Sequence, residues 1–132
     1  MQKPIPAVTA DTREFWDACA RGELRYQVCR NCARVQFYPR GHCTACQAVE
    51  LEWRRSAGLG AVYSHTTVYR APTPVFKADV PYVIALVDLN EGFRMMVNIR
   101  GCEPAAVAIG SRMRIVFRPG EGGVALPQGE LV

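Results

Sequence analysis

Residues 29 to 46 read CRNCARVQFYPRGHCTAC, two Cys-x-x-Cys pairs separated by ten residues. A pair of this kind puts two sulfurs on one side of a tight turn, and a second pair completes a tetrahedron around Zn²⁺. Catalytic zinc keeps a position open for water, whereas four cysteines close the coordination sphere. The spacing therefore predicts a structural zinc site whose ligands are Cys29, Cys32, Cys43 and Cys46.

The same stretch raises two alternatives to a zinc ion bound by four cysteines, namely a different metal and a different ligand. Iron in a sulfur-only site would need a redox partner, of which the sequence gives no sign. His42 precedes Cys43 and could replace one sulfur, but a cysteine in every knuckle position leaves it no vacancy. We expect His42 to be exposed on its loop or to hydrogen-bond next to the site.

The size and charge of the chain limit the classes of protein it can belong to. Its 132 residues, 49% of them hydrophobic, suffice for one compact domain or for two small modules that share a core. Starting from the formal net charge of +4, four thiolates subtract four charges and Zn²⁺ adds two, which leaves +2. Charge alone therefore does not indicate a nucleic-acid partner.

No segment of the sequence resembles a membrane anchor or a secretion signal. The longest apolar run, residues 82–87, is far shorter than the ~20 residues that span a bilayer. Pro4, Pro6 and Asp11 interrupt the amino-terminal stretch where a signal peptide would be continuously apolar. We expect a cytoplasmic protein, in which clustered cysteines bind metal more often than they form disulfides.

A helix and three strands are predicted around the cysteines. Asp11 and Glu14 resemble a capping box and Gly22 suits the position after a helix end, which predicts a helix over about 12–21. Alternating runs then predict short strands at 24–29, 34–39 and 47–55, the layout of a rubredoxin-like zinc ribbon.

The residue pattern changes after Gly58 and Gly60. From there on, β-branched residues and runs that alternate between apolar and polar residues dominate, as is typical of β-strands. The predicted strands are 61–69, 82–89, 94–99 and 113–118, and the carboxyl-terminal residues could add a further strand and a short tail. Residues 90–92, NEG, form a turn that makes a hairpin of the second and third strands. Residues 70–81 contain three prolines, so they form a long irregular loop of the kind that often carries function. The expected product is a small, mostly antiparallel barrel.

Several unusual stretches coincide with one protein family. They are EFWDACARGEL, the cysteine stretch itself, LEWRRSAGLGAVYSHTTVYRAP, DVPYVIALVDLNEGFRMMVNI and IGSRMRIVF. In this order, over residues ~12 to 127, the chain resembles the DUF35 family, small proteins with a zinc ribbon fused to an OB-fold. The expected fold is mainly β, with an arm and helix at 1–22, the ribbon at 23–57 and an OB-fold at 58–132. Ala33 is one departure, because many zinc knuckles carry glycine there.

The resemblance also implies a function. DUF35 proteins accompany acyl-CoA enzymes, so the chain is expected to be a non-catalytic accessory subunit that binds or channels a CoA thioester. Its partner would be a thiolase-like acyltransferase or aldolase, or a MaoC-like hydratase, and the complex a hetero-oligomer.

Candidate contacts to the CoA thioester lie in the long loop and at the ribbon edge. A receptor for CoA needs cations, aromatic rings and an apolar channel. The loop offers these groups, although Phe76 could equally pack over the barrel end while the cations stay solvated. Arg54 and Arg55 are further cation candidates. The residues selected as substrate contacts are Arg40, Tyr69, Arg70, Phe76, Lys77 and Tyr82.

The sequence offers little support for independent catalysis. His65 lies in an alternating strand, where a lone histidine is usually packed, and Cys102 has no histidine nearby in sequence to activate it. Cys19 lies on the apolar side of the predicted helix. Asp88 and Glu91 flank an exposed turn and do not resemble a buried acid and base pair.

The alternative function is a single-stranded nucleic-acid-binding module, since OB-folds and zinc ribbons both often bind single strands. Such a module would interleave aromatic and basic residues along the barrel face. The predicted strand cores YVIALV and RMMVNI are mainly aliphatic, which favours the accessory role.

Overall fold

The computed structural model describes residues 2–132. Within that range the chain forms one α-helix, α1 (Arg13–Ala20), and eight strands. The strands are β1 (Leu24–Cys29), β2 (Val35–Gln36), β3 (Leu51–Ser56), β4 (Leu59–Val68), β5 (Tyr82–Leu89), β6 (Arg94–Arg100), β7 (Arg112–Pro119) and β8 (Ala125–Leu131). Three short 3₁₀ turns lie at Pro74–Phe76, Pro104–Ala106 and Glu121–Gly123.

Helix α1 buries Phe15, Ala18 and Cys19 on one face. Gly22 follows it with φ +77°, and the amide of Glu23 donates to the carbonyl of Ala18 at 2.9 Å, which closes the last turn. The helix and its glycine stop are as predicted. The capping box is not, because Thr12 occupies the N-cap and makes no side-chain cap hydrogen bond.

The ribbon is a three-stranded antiparallel sheet in the order β2-β1-β3. Two of its strands are shorter than predicted. β2 ends at Gln36 because Phe37 turns into the core, where it packs against Phe15. β3 begins at Leu51, because Gln47 has φ +70° and belongs to the turn after the second knuckle.

The remaining strands close a barrel in the order β4-β5-β6-β8-β7, with β7 returning to β4. All pairs are antiparallel except β6 with β8. This is the five-stranded Greek-key topology of an OB-fold. The fold class expected from the sequence is therefore confirmed, and the carboxyl-terminal segment supplies the fifth barrel strand.

Ribbon and barrel share one core. Phe93, in the β5–β6 turn, stacks on Tyr26 of β1 with ring centroids 4.9 Å apart and on Phe37 at 5.1 Å. The Glu91 carboxylate accepts hydrogen bonds from the Ser56 hydroxyl (2.7 Å) and the Ala57 amide (2.8 Å). These contacts fix the segment between the two parts. The domain limits at 22/23 and 57/58 stay predictions.

Within residues 2–132, no helix is long and apolar enough to cross a membrane.

Candidate functional site

The fold brings the four paired cysteines into one cluster at the knuckle end of the ribbon. Their sulfurs all lie within 4.8 Å of one another, with 3.6 Å between Cys29 and Cys46 and 3.6 Å between Cys32 and Cys43. A tetrahedral Zn²⁺ with Zn–S bonds of about 2.3 Å separates its sulfurs by about 3.8 Å. Cys29 and Cys43 are buried, whereas Cys32 and Cys46 are exposed. The donor set and its spacing therefore fit zinc.

Backbone and side-chain N–H groups point at the sulfurs and favour their thiolate form. The amides of Asn31 and Ala45 donate to Cys29 Sγ and Cys43 Sγ, each at 3.4 Å. The side-chain amide of Asn31 donates to Cys46 Sγ, also at 3.4 Å, and this hydrogen bond is the main reason that the pKa of Cys46 falls to about 6. Three of the four sulfurs, those of Cys29, Cys43 and Cys46, thus accept N–H hydrogen bonds of the kind that stabilise a thiolate ligand. Cys32 differs, because a hydrogen bond with the Arg34 backbone, which lowers its pKa, is outweighed by the hydrogen bond with Cys43 together with burial and the other two sulfurs, which raise the pKa of Cys32 to about 11.

A pair of buried glutamines anchors the loop between the knuckles. Gln36 Nε2 donates to Gln27 Oε1 at 2.8 Å and to the His42 carbonyl at 3.2 Å. Gln36 Oε1 accepts from the Thr44 amide, and Gln27 exchanges two hydrogen bonds with the Arg40 backbone. This network holds the second knuckle in register with the sheet by protein contacts alone. Sequence reasoning missed it, although two glutamines on facing strands were a visible signal.

The two knuckle-loop residues considered at the sequence level differ in their surroundings. The His42 side chain is exposed, which is one of the two positions expected for it. Arg40 is also exposed, and its guanidinium donates to the Pro39 carbonyl at 3.0 Å. The Arg40 backbone is pinned while its side chain faces solvent.

The other five predicted substrate contacts, in or next to the long loop, fall into two groups that differ in exposure. Phe76 and Tyr82 are half-buried with ring centroids 6.4 Å apart. Tyr69, Arg70 and Lys77 are exposed. The structure thus brings together the two aromatic side chains nearest the barrel and leaves the cations on the surface.

Phe76 and Tyr82 line a cavity of about 490 Å³ at one end of the barrel. The ends of β6 and β7, the start of β5 and the middle of β8 form its walls, and Lys3 and Pro4 of the amino-terminal arm also border it. Lys3 binds Asp79 of the loop at 2.8 Å. Tyr69, Arg70, Lys77 and Arg40 do not border the cavity.

The remaining candidates do not assemble into a catalytic set. Cys19 is 1% exposed, and burial raises the pKa of its thiol to about 12. Asp88 binds Arg94 at 2.7 Å, and Arg54 and Arg55 pair with Glu52 and Glu23. Cys102 is exposed at the cavity, and the half-buried His65 lies in β4 outside the cavity lining.

Two protein-family models match the chain, one over the ribbon and the next over the barrel. Residues 16–52 match a family model described as the ChsH2 rubredoxin-like zinc ribbon domain. Residues 53–118 match one described as the ChsH2 C-terminal OB-fold domain.

Relatives in sequence come from bacteria and archaea. A DUF35 domain-containing scaffold protein of Methanothermobacter thermautotrophicus is 37% identical over 89% of this chain and 91% of its own length. A probable enoyl-CoA hydratase alpha subunit of Thermomonospora curvata is 30% identical over 95% of this chain, which spans only 39% of that protein. The chain also spans 64% of a DUF35 domain-containing scaffold protein of Methanocaldococcus jannaschii, at 40% identity.

Solved structures include two similar chains. One, from a structure titled Ltp2-ChsH2(DUF35) aldolase, has a TM-score of 0.85 at 29% identity, over 96% of this chain and 98% of that one. A DUF35 protein of unknown function from Sulfolobus solfataricus shares the fold, with a TM-score of 0.64 at 16% identity. With a zinc ribbon, an OB-fold and matches along nearly its whole length, the chain belongs to the DUF35 family.

Proposed function

We propose that the chain is an accessory subunit that completes an acyl-CoA-processing enzyme. The observation that carries the proposal is the match to nearly the whole of a chain from the aldolase structure, at a TM-score of 0.85. Relatives named as CoA hydratase alpha subunits support it, in Thermomonospora curvata and, as a 3-oxo-4,17-pregnadiene-20-carboxyl-CoA hydratase, in Mycobacterium tuberculosis. The partner is a thiolase-like aldolase or acyltransferase, or a MaoC-like hydratase.

The zinc site in this proposal is structural. Cys29, Cys32, Cys43 and Cys46 hold Zn²⁺ and leave no coordination position for substrate. The ion joins the two knuckles, so it supplies folding energy to a ribbon with only one short helix beside it. The Gln27 and Gln36 network positions the second knuckle for the metal.

The exposed cations of the long loop are assigned to the CoA thioester. Within residues 2–132, neither Arg70 nor Lys77 forms an ion pair, so both remain free to meet phosphate groups. Tyr69, 75% exposed, offers an aromatic face next to Arg70. Arg40, which lies on the ribbon, is assigned to the same surface or to the partner.

The nucleic-acid alternative receives less support from the barrel surface. On β5 and β6 the positions that alternate with the buried core carry one aromatic ring among eight side chains. They are Tyr82, Ile84, Leu86, Asp88, Arg94, Met96, Asn98 and Arg100. A single-strand platform needs aromatic rings at such positions. Absence of a mobility shift with single-stranded DNA or RNA at physiological salt is the expected result, and a clear shift would reverse the ranking.

Co-purification with the native partner, followed by mass spectrometry, tests the proposal. We expect a thiolase-like or hydratase subunit in stoichiometric amount. Recovery of the chain alone from its native cell extract would contradict the accessory role.

The loop assignment is tested in that complex by reversing two charges. Arg70→Glu with Lys77→Glu should lower kcat/KM for the acyl-CoA by about tenfold, since each hydrogen bond to a charged group is worth about 1.5–3 kcal/mol when desolvated and less at the surface. Arg13→Glu with Arg112→Glu changes the net charge equally on exposed residues outside the loop, and should leave turnover unchanged. Equal effects of the two double variants would remove the loop from the binding site.

A further inference from the structure

A short amino-terminal arm, residues 2–8, lies along one side of the barrel-end cavity. Lys3 and Pro4 border the cavity beside Phe76. The arm belongs to no helix or strand, and none of the backbone hydrogen bonds in the described part of the chain involves it. Side-chain contacts alone therefore hold the arm in place.

Two side chains of the arm contact different segments beside the cavity. Lys3 Nζ binds Asp79 Oδ2 at 2.8 Å and lies 5.9 Å from the centroid of the Phe76 ring. Ile5 packs on the turn between β7 and β8, where the absence of a side chain at Gly122 makes room for it. A Cβ at Gly122 would lie 3.1 Å from Ile5 Cδ1. The arm thus connects the long loop with the β7–β8 turn.

The arm is stiff and is joined to a fixed base. Pro4 and Pro6 restrict their own backbone and that of the residues before them to extended conformations. Directly after the arm, the Thr9 amide donates to Thr12 Oγ1 at 2.9 Å, and the Thr9 carbonyl accepts from the Arg13 amide at 2.9 Å. This turn leads into α1, whose buried face is part of the core. Rotation of the backbone next to Thr9 would therefore move the arm as a unit.

The two contacts are weak enough to be released. The ion pair is partly exposed, with 41% of the Lys3 side chain and 29% of the Asp79 side chain accessible. Exposed ion pairs contribute little to stability and are screened by salt. Ile5 is 49% exposed, so it buries only part of its surface against the turn. A segment with few buried contacts and no backbone hydrogen bonds is among the least stable parts of a fold.

We propose that residues 2–8 form a releasable strap that controls access to the barrel-end cavity. In the closed state, the strap supplies part of the cavity wall through Lys3 and Pro4. In the released state, it turns about Thr9 and leaves the cavity as a groove that is open to solvent on that side. The strap acts on any molecule that enters the cavity, so the inference does not depend on the ligand or on the enzyme partner.

A nitroxide attached to Cys102 tests whether the strap lies beside the cavity. Cys102 is exposed and borders the cavity, whereas the other exposed cysteines, Cys32 and Cys46, belong to the zinc cluster. In the zinc-loaded protein the label should broaden the amide NMR signals of Lys3 and Ile5. Added salt should reduce that broadening, because it screens the ion pair that holds the strap.

Lys3→Ala with Ile5→Ala removes both side-chain contacts of the strap. The ratio of open to closed strap should rise about fivefold or more, since an exposed ion pair alone accounts for up to about fivefold. The broadening of the arm signals by the Cys102 label should then be largely lost and should no longer respond to salt.

A dissolved nitroxide, TEMPOL, measures access to the cavity itself. It should broaden the methyl signals of Leu126, in the cavity wall, more strongly in the double variant than in wild type. The methyl signal of Met96, which is 60% exposed and does not border the cavity, should be broadened equally in both proteins.

Arg112→Ala with Ile109→Ala is the matched control, because it removes an exposed cation and an exposed isoleucine outside the cavity. It should change neither measurement. Sharp arm signals in labelled wild type would show that the arm does not lie beside the cavity. Equal broadening in wild type and the Lys3, Ile5 double variant at every salt concentration would show a fixed wall.

Either of these results overturns the proposal, and so does TEMPOL broadening of Leu126 that is the same in wild type and the double variant. All of these measurements use the chain without an enzyme partner. Their failure would therefore leave the accessory role, which co-purification tests, unaffected.

Discussion

Ala33 and Gln47 occupy equivalent positions, each directly after the second cysteine of a knuckle. Both take a left-handed backbone conformation, with φ of 66° and 70°. This conformation lets the chain leave the knuckle while the amides behind it point at sulfur. It costs a residue with a Cβ roughly 1–2 kcal/mol relative to glycine, so each knuckle stores local strain.

Ala33→Gly should therefore stabilise the zinc-loaded protein by about 0.5–1 kcal/mol, the relief of strain less the greater chain entropy of glycine when unfolded. Urea unfolding at constant zinc concentration measures the change. Ala45→Gly is the matched control, because Ala45 lies inside the second knuckle without a positive φ. It should lower stability by about 0.5–1 kcal/mol. A loss of stability in both variants would contradict the strain argument.

At the scale of single residues, sequence spacing was enough for the cysteines and insufficient for the glutamines. The four cysteines can be identified as metal ligands from the sequence, because the two sulfurs of each knuckle lie only three positions apart along the chain. Gln27 and Gln36 face each other on the neighbouring strands β1 and β2, but their burial and their hydrogen bonds to the knuckle loop exist only in the folded ribbon. The same limit affected the loop, where Phe76 and Tyr82 reach the cavity while Arg70 and Lys77 face solvent.

Among the elements, the ribbon depends most on a contribution from outside the polypeptide. β2 has two residues and β3 is mostly exposed or half-buried, so the sheet β2-β1-β3 has little apolar surface of its own on the β3 side. Zinc binding supplies roughly 10–16 kcal/mol in isolated zinc modules. The helix glycine, the β5–β6 hairpin and the barrel strands were predictable because period-2 alternation and glycine turns are local signals.

Cys32→Ala should consequently unfold the ribbon. Three sulfurs leave an open coordination position and lower the affinity for zinc. We expect loss of bound zinc by metal analysis and a lower Tm by calorimetry. Cys102→Ala, which removes an exposed thiol far from the knuckles in sequence, is the control and should keep both values. A Cys32→Ala protein that retains one zinc per chain and its Tm would show that the cluster does not hold the ribbon.

Across the whole molecule, the junction between ribbon and barrel was the feature least accessible to sequence reasoning. Glu91 was considered only as a flanking acid on a turn, yet its carboxylate binds Ser56 and Ala57, 34 or more residues earlier. Phe93 lies between the predicted turn and the next predicted strand and was not singled out from the sequence, but it stacks between Tyr26 and Phe37. Such contacts depend on how the folded ribbon and the folded barrel pack against each other. The periodicity of apolar residues within one strand or helix does not encode that arrangement.

Phe93→Ala should therefore weaken the whole molecule and loosen the ribbon in particular. Phe93 is 5% exposed, and truncating a buried phenylalanine to alanine typically costs about 3–5 kcal/mol. Urea unfolding should report that loss, and amide hydrogen exchange should accelerate more in β1 and β3 than in the barrel strands, since the barrel retains its own inner face.

Tyr63→Ala is the matched control for Phe93→Ala, because it removes an aromatic side chain that is half exposed on the barrel and lies 3.5 Å from the Arg94 guanidinium. Loss of that cation–π contact should cost about 1 kcal/mol or less. The discriminating result is where the exchange rates change. A uniform acceleration over ribbon and barrel after Phe93→Ala would mean that the two parts unfold as one unit, and that the zinc site and the barrel-end cavity are held by a single cooperative structure.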